Sequence, residues 1–102
     1  MHPLIEKNRV AIEDLCHKHG VRRLEFFGSI LRGDFNDDRS DVDELVEFIR
    51  QAADSFTHFL ALKESLEAVI GRSVDLFELR AIRSKRLRYY IEKNSLPVYV
   101  AG

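Results

Sequence analysis

Three aspartates and a Gly-Ser pair are the residues of this 102-residue chain whose types and spacing suit them to chemistry. The stretch FFGSILRGDFNDDRSDVDELVEF, residues 26–48, sets Gly28 and Ser29 after an apolar run and places Asp41 and Asp43 at the head of another. Residues two apart in a strand point to one face, roughly 6.5–7 Å apart, so Asp41 and Asp43 project together. Asp75 opens a later apolar run, SVDLF, in the same manner, and joins the pair if the two strands are neighbours. Carboxylates gathered at the head of a buried strand repel one another and are costly to desolvate. Such a cluster calls for a cation. Oxygen ligands suit Mg²⁺, which takes one or two carboxylates together with substrate phosphates, and two such ions about 3.5–4 Å apart serve phosphoryl transfer. Gly28 lets the backbone turn tightly and approach a ligand, and Ser29 opens a short helical turn whose N–H groups favour phosphate. Arg32, one turn on, either reaches phosphate or braces the acidic loop.

Those residues need elements to hold them. Ile5, Ile12, Leu15, Cys16 and His19 recur at helical spacing between Pro3 and the stop at Gly20, which predicts one amphipathic helix over 3–19. VRRLEFF, residues 21–27, reads as a strand ended by Gly28, and DVDELVEF, 41–48, as a second. Between them SILRG forms a short helical turn ended by Gly33, followed by a polar loop. Phe56, Phe59, Leu60, Leu66, Val69 and Ile70 lie on one side of a helix over 55–70, stopped by Gly71. SVDLFEL, 73–79, is a third strand, RAIRSKRLRYYIEKNS a last helix, and LPVYV a terminal strand. The order α, β, short α, β, α, β, α, β predicts an α/β fold, a small mixed sheet with flanking helices, in a single domain over 1–102.

Composition excludes several classes. Sixteen basic against seventeen acidic residues give a net charge of −1, which argues against direct binding of nucleic acid, since that requires a basic surplus. The lone Cys16 excludes an internal disulfide and suits a reducing compartment. No apolar run approaches a membrane span, and the first residues lack a signal peptide's apolar segment. A soluble cytoplasmic protein is expected.

The pattern GS, a short connector with Gly33, DVD opening a strand, and VDLF carrying a third Asp resembles the minimal nucleotidyltransferases of the DNA polymerase beta-like superfamily, over nearly the whole chain. The resemblance implies a nucleotidyltransferase fold, two Mg²⁺ ions, ATP or another nucleoside triphosphate as donor, and release of pyrophosphate. Gly28 and Ser29, with Arg32 beside them, would hold the triphosphate. Asp41, Asp43 and Asp75 would be the catalytic metal ligands, and Asp75 would favour loss of the acceptor's proton by helping hold the metal that coordinates it. Eleven residues separate Ser29 from Asp41, one more than in the smallest members, with the extra residue in the polar loop where insertions are tolerated. A chain this short has little left for an acceptor domain. The resemblance therefore points to an antitoxin whose partner is a HEPN-type ribonuclease toxin, silenced by transfer of AMP to a tyrosine hydroxyl. A transferase acting on a small-molecule hydroxyl, and an antitoxin that neutralises by binding alone, are the competing readings, and homo- and hetero-oligomers stay open.

The remaining residues divide between structural and functional roles. Glu44 stands where an apolar residue is expected, on a face with Val42, Val46 and Phe48, and is either a fourth acid near the site or a partly exposed edge residue. His2, His17, His19 and His58 lack metal-ligand spacing supported by cysteines, and Cys16 reads as a small core residue. Arg80, Arg83, Lys85, Arg86 and Arg88 form a solvated helix face or, with Tyr89 and Tyr90, a surface for a polyanion or acidic partner.

Overall fold

The computed structural model describes residues 2–32, 41–49 and 55–101, with the side chain of Ser55 excepted; Gly33 and the polar loop at 34–40 lie outside the described residues. The opening segment is two helices, α1 (Pro3–Glu6) and α2 (Arg9–Lys18), where the periodicity predicts one. The break falls at Lys7 and Asn8, where Asn8 Nδ2 donates to the Leu4 carbonyl at 2.8 Å, an Asn competing with the backbone ladder as short polar side chains do, while His2 Nδ1 caps the start of α1 by accepting the Leu4 amide at 3.0 Å. Ile5 and Ile12 are nevertheless both fully buried, so the apolar stripe survives the break.

β1 (Val21–Phe27) ends in a single 3-10 turn over Gly28–Leu31. β2 (Val42–Phe48), α3 (Ser55–Ile70) and β3 (Val74–Glu78) then form a βαβ unit, with α3 as the crossover that parallel strands require. Within α3 the buried positions are Leu62, Leu66 and Ile70, four residues apart, with Phe59 and Val69 beside them. Phe56 and Leu60, expected inside, are 69% and 43% exposed, and Leu62 takes their place. The pattern of large residues is therefore rotated relative to the packed face.

The last helix also begins later than expected. Leu79–Ala81 make a 3-10 turn, Ile82 is extended, and α4 (Lys85–Lys93) starts where the Ser84 hydroxyl accepts the Leu87 amide at 3.2 Å. Arg80 and Arg83 thus lie outside α4, and Arg80 reaches Glu47 at 3.8 Å. β4 (Ser95–Val100) completes a sheet of order β3-β2-β1-β4, with β1 antiparallel to both neighbours and β2 parallel to β3.

The two faces of this sheet are covered unequally. Leu24, Phe26, Val42 and Val46 face α1, α2 and α3 in the main core, together with Ile12, Cys16 and Leu66. The other face carries a small cluster of Phe27, Leu45 and Ile91, with Leu79 and Ile82 against it. Ile91 is the one fully buried residue of α4. Among the described residues, this cover is thin beside the neighbouring strand ends.

Candidate active site

The register of β2 and β3 sets Asp43 beside Asp75 and Val42 beside Val74. Two bonds fix it at its start. The Val42 amide donates to the Ser73 carbonyl at 2.9 Å, and the Val74 amide donates to Glu67 Oε2, from the last turns of α3, at 2.9 Å. Lys63 Nζ donates to the same oxygen at 3.0 Å, and the backbone bond first, then the lysine, holds the Glu67 carboxyl below its ordinary value. Glu67 lies outside the aspartate and Gly-Ser pattern. Its signal is modest: a Lys-Glu pair at i,i+4 just before a helix stop and a strand.

On its other side Asp43 pairs with Phe27, the last residue of β1, and the chain turns at Gly28. Gly28 has φ of +81°, and a Cβ there would overlap Asp43 Oδ2 and stand 3.3 Å from Asp43 Cγ. Glycine is required both by the backbone conformation and by the carboxylate packed against it. Asp41, exposed, directly precedes β2. Burial, and then the charges of Asp75 and Asp41, push the Asp43 carboxyl up from its ordinary value, while Arg32 opposes the rise. A side-chain hydrogen bond with Asp75 adds the smallest contribution to the rise.

No group of three acidic, His or Cys side chains among the described residues is gathered closely enough to hold a metal ion unaided. The arrangement is an adjacent carboxylate pair with a third acid at its margin. That suits Mg²⁺, which keeps waters and takes substrate phosphates as ligands rather than sitting in an all-protein cage. The mutual repulsion that raises Asp43 is what a cation relieves.

Ser29 lies partly exposed in the 3-10 turn, and Arg32, which follows it, donates from Nη1 to the Tyr90 hydroxyl at 2.9 Å. A cleft of about 390 Å³ opens beside Gly28, lined on one side by Leu31 and Arg32 and on the other by Lys93, Asn94 and Ser95. Glu44 corrects both expectations made for it. It is fully buried on the opposite face of β2 from Asp43, in register with Phe26 and Leu76, and neither carboxyl oxygen has a hydrogen-bond partner. Burial drives its pKa well above the ordinary value. Cys16 is fully buried as expected, its thiol pushed up to about 12 by burial first and Glu44 second. The histidines stand apart from the acids: His17 meets Tyr99 edge-on at 5.2 Å, and His19 and His58 bring their Nδ1 atoms to 3.3 Å between α2 and α3.

A model of the nucleotidyltransferase domain family matches residues 9–98, from α2 to β4. The chain belongs to this family. As a nucleotidyltransferase it is 40% identical over 72 residues to the protein adenylyltransferase MntA of Thermococcus cleftensis, spanning 71% of this chain and 70% of that protein. A solved structure of a candidate minimal nucleotidyltransferase superimposes with a TM-score of 0.78 at 33% identity, covering 95% of this chain and 96% of that one. The same fold recurs, at 18% identity and a TM-score of 0.68 over 94% of this chain and 72% of the other, in a complex of the tri-AMPylated Shewanella oneidensis HEPN toxin with its MNT antitoxin. The mixed sheet with flanking helices expected from the sequence is thus the family's fold. No described helix is long and apolar enough to cross a membrane.

Proposed function

We propose that this nucleotidyltransferase transfers AMP from ATP to a tyrosine hydroxyl of a HEPN-type ribonuclease toxin and thereby acts as its antitoxin. The observation that carries the reading is the register of Asp43 beside Asp75, with Gly28 packed directly on Asp43. It puts a carboxylate cluster against a tight glycine turn, which is the juxtaposition that polyphosphate transfer needs. The kinship with MntA, a protein adenylyltransferase, supports AMP as the transferred group, and the antitoxin of like fold supports the partner.

Within this reading Asp41, Asp43 and Asp75 hold two Mg²⁺ ions, and Gly28, Ser29 and Arg32 seat the triphosphate, all in one domain. The bound ions would supply Lewis-acid stabilisation of the phosphoryl oxygens and ease loss of the acceptor's proton. The chain's own part is positioning. Asp43 and Asp41 would anchor the donor, while Asp75, on the edge strand β3, would favour loss of the acceptor's proton. A tyrosine hydroxyl has a pKa near 10, so the proton leaves as the oxygen bonds to the α-phosphorus and pyrophosphate departs with the electrons of the broken bond.

Co-expression with a HEPN-type toxin tests the proposal. The wild-type chain should restore growth and leave the toxin heavier by AMP units in intact-mass spectra. Asp75→Asn should bind the toxin, fail to rescue and leave its mass unchanged. Full rescue by Asp75→Asn with an unmodified toxin would replace transfer with neutralisation by binding.

A further inference from the structure

The cleft beside Gly28 contains groups that the acids do not account for. Asp43 packs against Gly28, and Gly28 in turn lines the cleft, so the cleft begins one residue from the carboxylate pair. Among the described residues its walls carry two cations, Arg32 from the 3-10 turn and Lys93 from the last turn of α4, and no acidic residue. A polyanion leaving the carboxylate cluster would pass between them. Of α4, Lys93 lines this wall, and Tyr90, three residues before it, shares its helix side. Tyr90 accepts the hydrogen bond from Arg32 Nη1 at 2.9 Å, and Lys93 follows one turn later. Lys93 Nζ stands 5.5 Å from the Tyr89 ring centroid, a cation–π distance that steadies the ammonium at the helix end. Asn94 Nδ2 donates to the Tyr90 carbonyl at 2.8 Å and closes the helix there.

We infer that Lys93 is a second cation for the polyphosphate tail of the donor, and that Tyr90 is a positioning residue that holds Arg32 at the facing wall. The inference rests on the proposed reading for the identity of the donor. During transfer the acceptor oxygen bonds to the α-phosphorus, the bond to the bridging oxygen breaks, and its electron pair leaves on pyrophosphate. The phenolic proton passes to solvent. Lys93 sits where that departing charge collects, and a flexible ammonium with three donors suits a leaving group that shifts as it departs. Lysine in the last turn of a helix also complements the helix dipole, a purely structural role that the test must separate.

Calorimetric titration of the full chain with pyrophosphate, and separately with AMP, in magnesium buffer provides the separation. Loss of one charge-assisted contact in a partly exposed site corresponds to about tenfold in affinity. Lys93→Gln should therefore weaken pyrophosphate about tenfold and leave AMP unchanged, with the melting temperature nearly unaltered. Tyr90→Phe, which removes only the hydroxyl, should weaken pyrophosphate by roughly threefold, the smaller effect expected of indirect positioning. Lys85→Gln, at the far end of α4, should bind as the wild type does. Equal binding by Lys93→Gln and wild type, equal losses in Lys85→Gln and Lys93→Gln, or no pyrophosphate binding by the wild type would each overturn the inference. Failure of AMP transfer to the toxin, with these binding differences intact, would instead count against the proposed acceptor and leave the cleft assignment standing.

Discussion

Asp43 and Glu44 are consecutive carboxylic acids on one strand, and the two faces of the sheet treat them in opposite ways. Asp43 points to the face with the smaller cluster, next to Asp75 and Gly28, where the proposed cation and phosphate would bind. Glu44 points into the core between the sheet and the α1–α3 layer, fully buried and without a partner. Both have raised pKa values, with burial the first cause in each. Only Asp43 has other charges among the causes, Asp75 and Asp41 raising it and Arg32 opposing. A perturbed carboxyl marks a site when it is coupled to other charges in an open cleft. Perturbed by burial alone, it marks a cost to folding.

The comparison breaks first at Asp43. Asp43→Asn should reduce AMP transfer by roughly a hundredfold or more, measured as the rate of toxin modification, without lowering the melting temperature, because the substitution removes like-charge repulsion. Gly28→Ala should also abolish transfer, since the added methyl displaces the Asp43 carboxylate, and should destabilise the fold by about 1–3 kcal/mol through the left-handed backbone. Retained activity in Gly28→Ala would show that the close packing on Asp43 is dispensable. Glu44→Leu should do the reverse of Asp43→Asn. It removes an unsatisfied buried polar group and should stabilise the chain by about 1–3 kcal/mol in thermal or denaturant unfolding, with the transfer rate unchanged. A destabilised Glu44→Leu chain would reveal a partner for that carboxyl.

Much of this contrast is legible in the residues themselves. β1 is read to its ends because Gly20 and Gly28 punctuate it, and the adjacency of Asp43 and Asp75 follows once the parallel pairing of β2 and β3 is assumed. Glu44 escapes because two rules conflict there. Strand periodicity places it with Val42, Val46 and Phe48 on the core face, whereas its chemistry argues for water, and in the fold the periodicity prevails. The face of α3 is misread for a related reason: Phe56 and Leu60 carry a strong apolar signal but lie outside, while Leu62 belongs to the Leu62, Leu66, Ile70 row that meets the sheet. The role of Glu67 depends on an amide three residues beyond the helix stop, Val74, and only the tertiary placement of β3 discloses it.

Removal of that tie is the next smaller effect. Glu67→Gln loses the charge on the acceptor of the Val74 amide and the bridge from Lys63. Such half-buried pairs near the surface contribute little on their own, so the melting temperature should fall by only a few degrees. The start of β3 carries Asp75, however, and amide exchange at Val74 should quicken while that at Leu24, in the core, stays unchanged. Equal exchange at Val74 in both chains would show that the Ser73 to Val42 bond alone holds the register.

The smallest effect belongs to the helix layer that covers Glu44. His19 and His58 share a hydrogen bond at 3.3 Å between α2 and α3, so at least one of the pair must be neutral to accept it. Burial, then the charges of His58 and Lys18, lowers the His19 pKa from its ordinary 6.5. The sign follows from linkage. Above 6.5 the imidazole is neutral in both folded and unfolded chains and its contribution is fully present. As pH falls below 6.5 the unfolded chain takes up a proton that the fold resists, and stability is lost down to the folded value. Glu44 acts in the opposite sense, since its raised pKa favours the fold at low pH and penalises it as pH rises above the ordinary 4.5. The two slopes oppose each other in the wild type, so the informative measurement is a difference. Between pH 7.5 and about 5.5, a range chosen to span the ordinary histidine value, His19→Gln should lose less stability than the wild type in denaturant titrations. Parallel curves would place the acid sensitivity of this layer elsewhere than in the histidine pair.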